Sequence, residues 1–508
     1  MSESTPEKYS LTTMAAWSMI ARTLAFACSF ALPLLLVRRL SRQEFGLYKQ
    51  VFLLALTAIN TLPLGIDMSA YYFLPRESKR KGHVVLNILL FYFLTTIASG
   101  FVLYMFPQIL HGIFGSDDLI KYSALIAILI PLWGLPFVLE NIAYANEEAK
   151  LASAFVVVSE FSKAVVLIGA TLWFGTLRAL IYAAIIHGLV QAVISFVYFY
   201  SAFGSFWKDF DWSVMRRQLV YILPFGLAAV LLRFQTDLHS YFVSHRFSAA
   251  DFAVYSVGCF NLPLLSILSS SVGAVMIPRV SRLQVLGQLR EIVELVARMM
   301  RKMAAIYFPL YVFLIIVRKE FITILFTKQY ASASSIFVLN LSFIPLGLLV
   351  SANDAVIRAY PEHRSYLVKL RAALIPGLLF ALWFCTAHFG LIGAISVVVA
   401  AASLEAILMA SKLGRTLGVA FHDIRLLLDV GKLAVASVIA GIIATVVHSL
   451  LPDIHPIVTL AISGTVFSIA YAILVLVLGV VSLDERESLR RYASSAQRFI
   501  PWRKAEAH

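Results

Sequence analysis

The sequence predicts an all-α polytopic membrane protein of fourteen transmembrane helices: two pseudo-symmetric six-helix lobes followed by two further helices. Hydrophobic residues make up 60% of the 508 positions and charged residues only 14%, whereas a soluble globular chain carries about 25% charge. The apolar residues gather into fourteen stretches, each near the ~20 residues that a bilayer span requires. One motif also occurs twice. The stretch from Arg39 to Tyr48 returns as Arg246 to Tyr255, and Glu44-Phe45-Gly46-Leu47-Tyr48 aligns with Asp251-Phe252-Ala253-Val254-Tyr255 at an offset of 207. Each copy runs on to a Pro-Arg stop, at Pro75-Arg76 and Pro278-Arg279, at an offset of 203. The difference of four is close to one helical turn.

In chain order the spans fall at about 14–37, 48–74, 84–106, 119–140, 151–174, 179–203 and 218–243. They continue at about 252–277, 303–325, 333–353, 367–388, 391–411, 427–449 and 456–481. Placing the amino terminus in the cytoplasm puts 28 Lys and Arg on the cytoplasmic side and 10 on the opposite side. Positive-inside bias therefore puts both termini in the cytoplasm, as an even span count requires. The net charge of +14 follows from this distribution and gives no reason to expect nucleic acid. The opening residues carry Glu3, Glu7 and Lys8 ahead of a long apolar run, so no cleavable signal is expected.

The two motif copies begin after the first and seventh spans, and six intervening helices preserve orientation. Parallel repeats of this kind are typical of transporters that rock one half against the other. The expected domains are 1–210 and 211–415 for the two lobes, 416–482 for spans thirteen and fourteen, and 483–508 for a cytoplasmic amphipathic tail. A second amphipathic stretch, with Leu286, Leu289, Val293, Val296 and Met300 at helical spacing, reads as a helix lying on the inner surface before span nine.

No nucleotide-binding loop, zinc-protease motif or assembled hydrolytic triad is present, and cofactor and metal are expected to be absent. Cys28, Cys259 and Cys385 lie in apolar segments and read as buried small hydrophobes. The informative chemistry lies in the ionisable groups within spans: Arg22, Asp67, Glu160, Lys163, Arg233, Asp237, Glu405 and Lys432. A charge at the centre of a membrane helix costs about 2.5–3.5 kcal/mol, so these groups should face protein or a watery cavity. Arg233 and Asp237 are four apart and Glu160 and Lys163 three apart, so each couple can pair along its helix, either as a structural lock or as part of a lining. Arg22 either meets Asp67 across helices or projects into the cavity. Lys49 extends the same basic lining or snorkels to the interface. Cations in a water-poor cleft suit an anionic ligand, above all a diphosphate, whose oxygens match the arginine fork.

Helix breakers at Pro33, at Pro63-Leu64-Gly65, at Pro224 with Gly226 and at Pro263 mark expected kinks, at comparable places in the two halves. His187 and His239 read as satisfied structural histidines. Asn60, Gln191, Gln235, Asn261, Asn340 and Asn353 read as helix-packing or cavity-wall groups.

The first helix followed by Leu35–Gln50, then Gly65-Ile66-Asp67 and Phe73-Leu74-Pro75-Arg76, resembles the polysaccharide flippases of the multidrug/oligosaccharidyl-lipid/polysaccharide (MOP) exporter superfamily. These are the O-antigen and exopolysaccharide Wzx-type translocases, and the resemblance runs the length of the chain. It implies a MATE-like, V-shaped pair of lobes around a cavity in the bacterial inner membrane, and a transporter rather than an enzyme. The implied cargo is undecaprenyl-diphosphate-linked oligosaccharide, with Arg22, Lys49 and Arg233 as the cavity cations. Asp67, Asp237 and Glu405 are the candidates for proton or sodium coupling. Other implied partners are membrane lipids and a polysaccharide polymerase. The alternatives are a MATE-like multidrug or other small-molecule exporter and a lipid II flippase, although the span-one arginine signature of the latter is not clear at Ala21–Ser29. A membrane glycosyltransferase or polymerase needs large external loops, and the loops here are short.

Overall fold

The computed structural model describes residues 23–24, 29–77, 80–208, 210–360, 362–452 and 455–480. All regular structure among them is helical, as expected where no water reaches backbone N–H and C=O groups and each helix must satisfy its own. Eleven helical runs among the described residues are long and apolar enough to cross a membrane. One of these, Ser365–Thr416, reverses at Gly390, whose φ of 59° and ψ of −140° are non-helical. A Cβ on Gly393 would lie 2.2 Å from the Cys385 carbonyl oxygen. Residues eight apart in a straight helix stand about 12 Å apart, so the run folds back as two legs, at the boundary expected between 388 and 391. The tail at 483–508, and most of the expected first span including Arg22, lie outside the described residues.

The chain forms two compact units. The first comprises Met1–Pro263, Leu325–Asn340 and Ser365–Ala401. It contains α1 (29–39), α2 (Arg42–Thr61), α3 (Ala70–Arg76), α4 (Lys81–Met105), α5 (Ile109–Phe114), α6 (Ser123–Trp133) and α7 (Leu135–Ala145). It continues with α8 (Ala149–Trp173), α9 (Leu177–Phe203), α10 (Trp212–Arg246) and α11 (Ala249–Gly258). Its core is apolar: Ile66, Leu74, Val84, Ile88, Leu139 and Ile142 are fully buried in one cluster.

Both copies of the repeated motif fold alike. Ser41 and Ser248 have the same extended backbone (φ −64°, ψ 159°), and each hydroxyl accepts the N–H three residues on, from Glu44 and Asp251. Such caps satisfy donors that the first turn leaves open. Phe45, Tyr48, Phe252 and Tyr255 are buried. Among the described residues, α2 and α11 make the most extensive contact between helices.

Beyond the motif the copies diverge. α2 runs on to Thr61 and breaks where Leu64 (φ 51°) and Gly65 (φ 66°) are left-handed. α11 stops at Gly258, and α12 (Pro263–Val285) begins after an unwound interval. Pro263 therefore starts a helix rather than kinking one, since its ring suits a first turn and disfavours helix at the preceding residue. The expected equivalence of the kinks does not hold in motif register.

The second unit comprises Leu264–Ile324, Leu341–Arg364 and Ala402–His508. Its axis is α13 (Leu289–Ile316), one continuous helix, so the amphipathic stretch near 286–300 is not a separate surface helix. Nothing between Leu289 and Phe308 breaks a helix, and Ile292, Val293 and Ala297 are buried. Helix α14 (Arg318–Phe326) follows after a break at Val317. α15 (Ser334–Leu341) lies almost wholly in the first unit, α16 (Phe343–Ala359) in the second, and α17 (Glu362–Thr416) contributes to both.

Helices α18 (Leu428–Leu450) and α19 (Pro456–Val477) pack against each other and on α13. The buried face of α18 is small: Ala436, Ser437, Ala440, Gly441 and Ala444. A Cβ on Gly441 would stand 2.4 Å from the Val312 side chain. Small residues permit this approach, which in lipid is driven by packing rather than by water exclusion.

Candidate functional site

Charged and polar side chains gather on the helices of the first unit. On α10, the Arg233 Nε lies 2.6 Å from the Asp237 carboxylate, and the side chains are 34% and 11% exposed. The i, i+4 spacing stacks the two on one helix face. Thr57 on α2 donates its hydroxyl to the same carboxylate at 3.0 Å, so the pair ties α10 to α2. Lys49, two helical turns before Thr57, is half-buried, and its Nζ lies 5.4 Å from the Phe45 ring centroid.

Asp67 sits in the short 3-10 turn Ile66–Ser69, just past the break that ends α2. The Asn141 amide on α7 donates to its carboxylate at 2.5 Å, and the Tyr71 hydroxyl donates to the Asn141 oxygen at 3.0 Å. The break itself is packed: a Cβ on Gly226 of α10 would lie 2.2 Å from the Leu64 carbonyl oxygen. Glycine lets α10 pass this irregular backbone at close range.

A second cluster lies on α8. Lys163 Nζ is 2.5 Å from the Glu160 carboxylate, with 20% and 22% of their side chains exposed. The Ser29 hydroxyl donates to Glu160. Lys163 also lies 5.9 Å from the Trp133 ring centroid on α6, a cation–π distance. Ser162 lies 3.4 Å from His187 Nδ1 on α9, and Gln191 donates to Ser162 at 3.4 Å.

The structure thus brings Arg233, Asp237 and α2 together, places Asp67 separately at the α2–α3 break, and sets half-buried Glu405 in the second unit. Both intrahelical pairs form. His187 and His239 make side-chain hydrogen bonds, the latter with the Tyr255 hydroxyl at 2.7 Å. Asn340 and Asn353 donate to the carbonyls of Phe260 and Ala406, as helix-packing groups do. Sequence reasoning missed Thr57, Asn141, Tyr71 and Ser29. Each was visible as a polar residue in an apolar run, but its partner is 70 or more positions away. Among the described residues no group of His, Cys, Asp and Glu could hold a metal ion.

Residues 35–335 match the family described as polysaccharide biosynthesis protein. The chain belongs to that family. The lipid II flippase MurJ, in an inward closed conformation, superposes with a TM-score of 0.70 at 13% identity, over 92% of this chain and 98% of that one. An inward-facing multidrug resistance MATE family transporter of the MOP superfamily gives 0.56 at 15% identity, over 81% and 96%. A Vibrio cholerae MATE transporter gives 0.52 at 14% identity, over 80% and 96%. At these identities the likeness establishes the polysaccharide biosynthesis protein's fold. Comparison with curated protein sequences gives no significant match.

Proposed function

We propose that this protein is a flippase that carries a polyprenyl-diphosphate-linked oligosaccharide across the bacterial inner membrane by alternating access. The single observation that carries this reading, beside the family, is the Arg233–Asp237 pair. A partly exposed guanidinium deep in a membrane helix is too costly to retain as lipid-facing surface, and its fork matches a diphosphate. With Asp237 shared between Arg233 and Thr57, an arriving diphosphate competes for the arginine while Thr57 keeps a hold on the carboxylate. Lys49 and Arg22 complete the basic lining in this reading. Asp67, Asp237 and Glu405 are the carboxylates available to a coupling proton or sodium ion. Cargo moves and no covalent bond is made or broken.

In the same reading the helices number fourteen. The eleven apolar runs, the two legs that meet at Gly390, the expected first span and the α11–α12 stretch support that count. Residues 1–210 and 211–415 act as the two rocking lobes, with 416–482 appended and both termini cytoplasmic. The contacts of α2 with α10 and α11 then belong to one state of the cycle and open in the other. A polymerase that consumes the exported unit is the expected neighbour.

The test is movement of a fluorescent undecaprenyl-diphosphate oligosaccharide across vesicles reconstituted with the pure protein. Movement that depends on protein and falls to background with Arg233→Ala is the expected result. Efflux of cationic drugs with no glycan movement would assign the multidrug reading instead.

A further inference from the structure

The second polar cluster has no part in the mechanism above, yet it is built with the same economy of charge. Glu160 and Lys163 sit near the middle of the 25-residue helix α8, at a depth where a lone charge is strongly disfavoured. The carboxylate takes the ammonium at 2.5 Å and the Ser29 hydroxyl from α1. The ammonium has the Trp133 ring on its other side at 5.9 Å, and Trp133 is in turn wedged between Phe52 at 4.9 Å and His187 at 5.8 Å. Each charge is therefore the other's counter-ion, and both side chains remain about one-fifth exposed. At this depth that exposure points to an aqueous or protein lining rather than to lipid.

Such a pair obeys a simple linkage. Protonation of Glu160 leaves Lys163 as an uncompensated cation. Binding of an anion to Lys163 leaves Glu160 as an uncompensated carboxylate beside a second negative group. Either event alone is opposed, and the two together restore neutrality. Because linkage is reciprocal, each ligand tightens the other.

We propose that Glu160 and Lys163 form a linked proton and diphosphate site: Lys163 binds the anionic headgroup when Glu160 takes up a proton. The proposal rests on the flippase reading and deepens it. The proton goes to Glu160 Oε2, the oxygen that faces Lys163 and also accepts the Ser29 hydroxyl. His187 on α9 is the titratable group that faces the pair. On α7, Tyr144 is engaged two turns away with Ser153 at 3.3 Å, and Glu140 is that helix's other titratable residue.

The experiment titrates undecaprenyl diphosphate into the full chain in nanodiscs between pH 5.5 and 8.5. In the wild type, affinity should rise as pH falls, by up to about tenfold per unit where one linked proton is taken up. E160Q should bind as tightly as the protonated wild type and lose that slope. What slope it retains is the ligand's own protonation, which is opposite in sign. K163Q keeps a carboxylate able to neutralise itself, and should fold, bind weakly and show no Glu160-dependent slope. H187Q should keep the wild-type slope. Wild-type slope in E160Q, wild-type affinity and slope in K163Q, or a slope lost in H187Q would each overturn the linked site. No binding by the wild type at any pH would overturn the flippase reading and this site together, whereas binding without the slope would overturn this site alone.

Discussion

Gly46 and Ala249 cross so closely that a Cβ on Gly46 would sit 1.7 Å from the Ala249 carbonyl oxygen. These residues come from the two copies of the repeated motif: Gly46 is the fifth residue of α2 and Ala249 the first of α11. The duplicated motif therefore does more than build two similar helices. Its copies meet, and a missing side chain in the first makes room for the backbone of the second.

That crossing makes Gly46→Ala a sharp probe. A backbone atom cannot move aside as a flexible side chain can, so α2 and α11 must separate. Overpacking of this kind costs about 1–3 kcal/mol. Thermal unfolding in detergent should show the loss. Gly169→Ala on α8, where a Cβ meets nothing within 4 Å, should be neutral or stabilising by up to about 1 kcal/mol.

The Arg233–Asp237 pair can be separated into binding and structural parts. Arg233→Ala leaves the Asp237 carboxylate with Thr57 as its remaining partner among the described residues, and because the arginine is 34% exposed the loss should stay below the ~3–5 kcal/mol of a fully buried pair. Arg233→Gln with Asp237→Asn removes both charges and should recover most of that stability. If Arg233 contacts the cargo, the neutral pair should still fail to move lipid-linked glycan. Recovery of both melting temperature and transport in the double variant would assign the pair to structure alone.

Packing of α18 on α13 depends on small residues. Gly441→Leu should push the helices apart at Val312 and lower the melting temperature. Truncating Val312 to Ala in the same chain opens the space that the new side chain needs. Partial rescue by the second change, measured as a double-mutant cycle, is the expected outcome.

Asp211 is a source of acid sensitivity outside the spans. Asp211 caps α10: its carboxylate accepts the N–H groups of Ser213 at 2.8 Å and Val214 at 3.3 Å. These bonds, with the nearby charges of His83 and Arg80, hold its pKa below the usual carboxylate range. A group depressed on folding contributes stability above its unfolded value, about pH 4. That contribution fades as the pH falls through the folded value. Asp211→Asn caps equally well but does not titrate, so its melting temperature should fall less between pH 5 and pH 3 than that of the wild type.

Composition and periodicity alone determined that the chain is helical and crosses a membrane many times, because a bilayer permits few other structures for so apolar a sequence. The repeat, the breaks at Pro63-Leu64-Gly65 and near Gly390, and the two intrahelical ion pairs were legible too, since each depends on residues close in the chain. Only the tertiary structure decided which neighbours complete the site. Thr57 reaches Asp237 across 180 positions, Asn141 reaches Asp67 across 74 and Ser29 reaches Glu160 across 131. It also decided that α13 runs unbroken, and that the motif copies diverge after Tyr48 and Tyr255. In both cases local preference leaves several outcomes nearly equal in energy, and contacts between helices select among them.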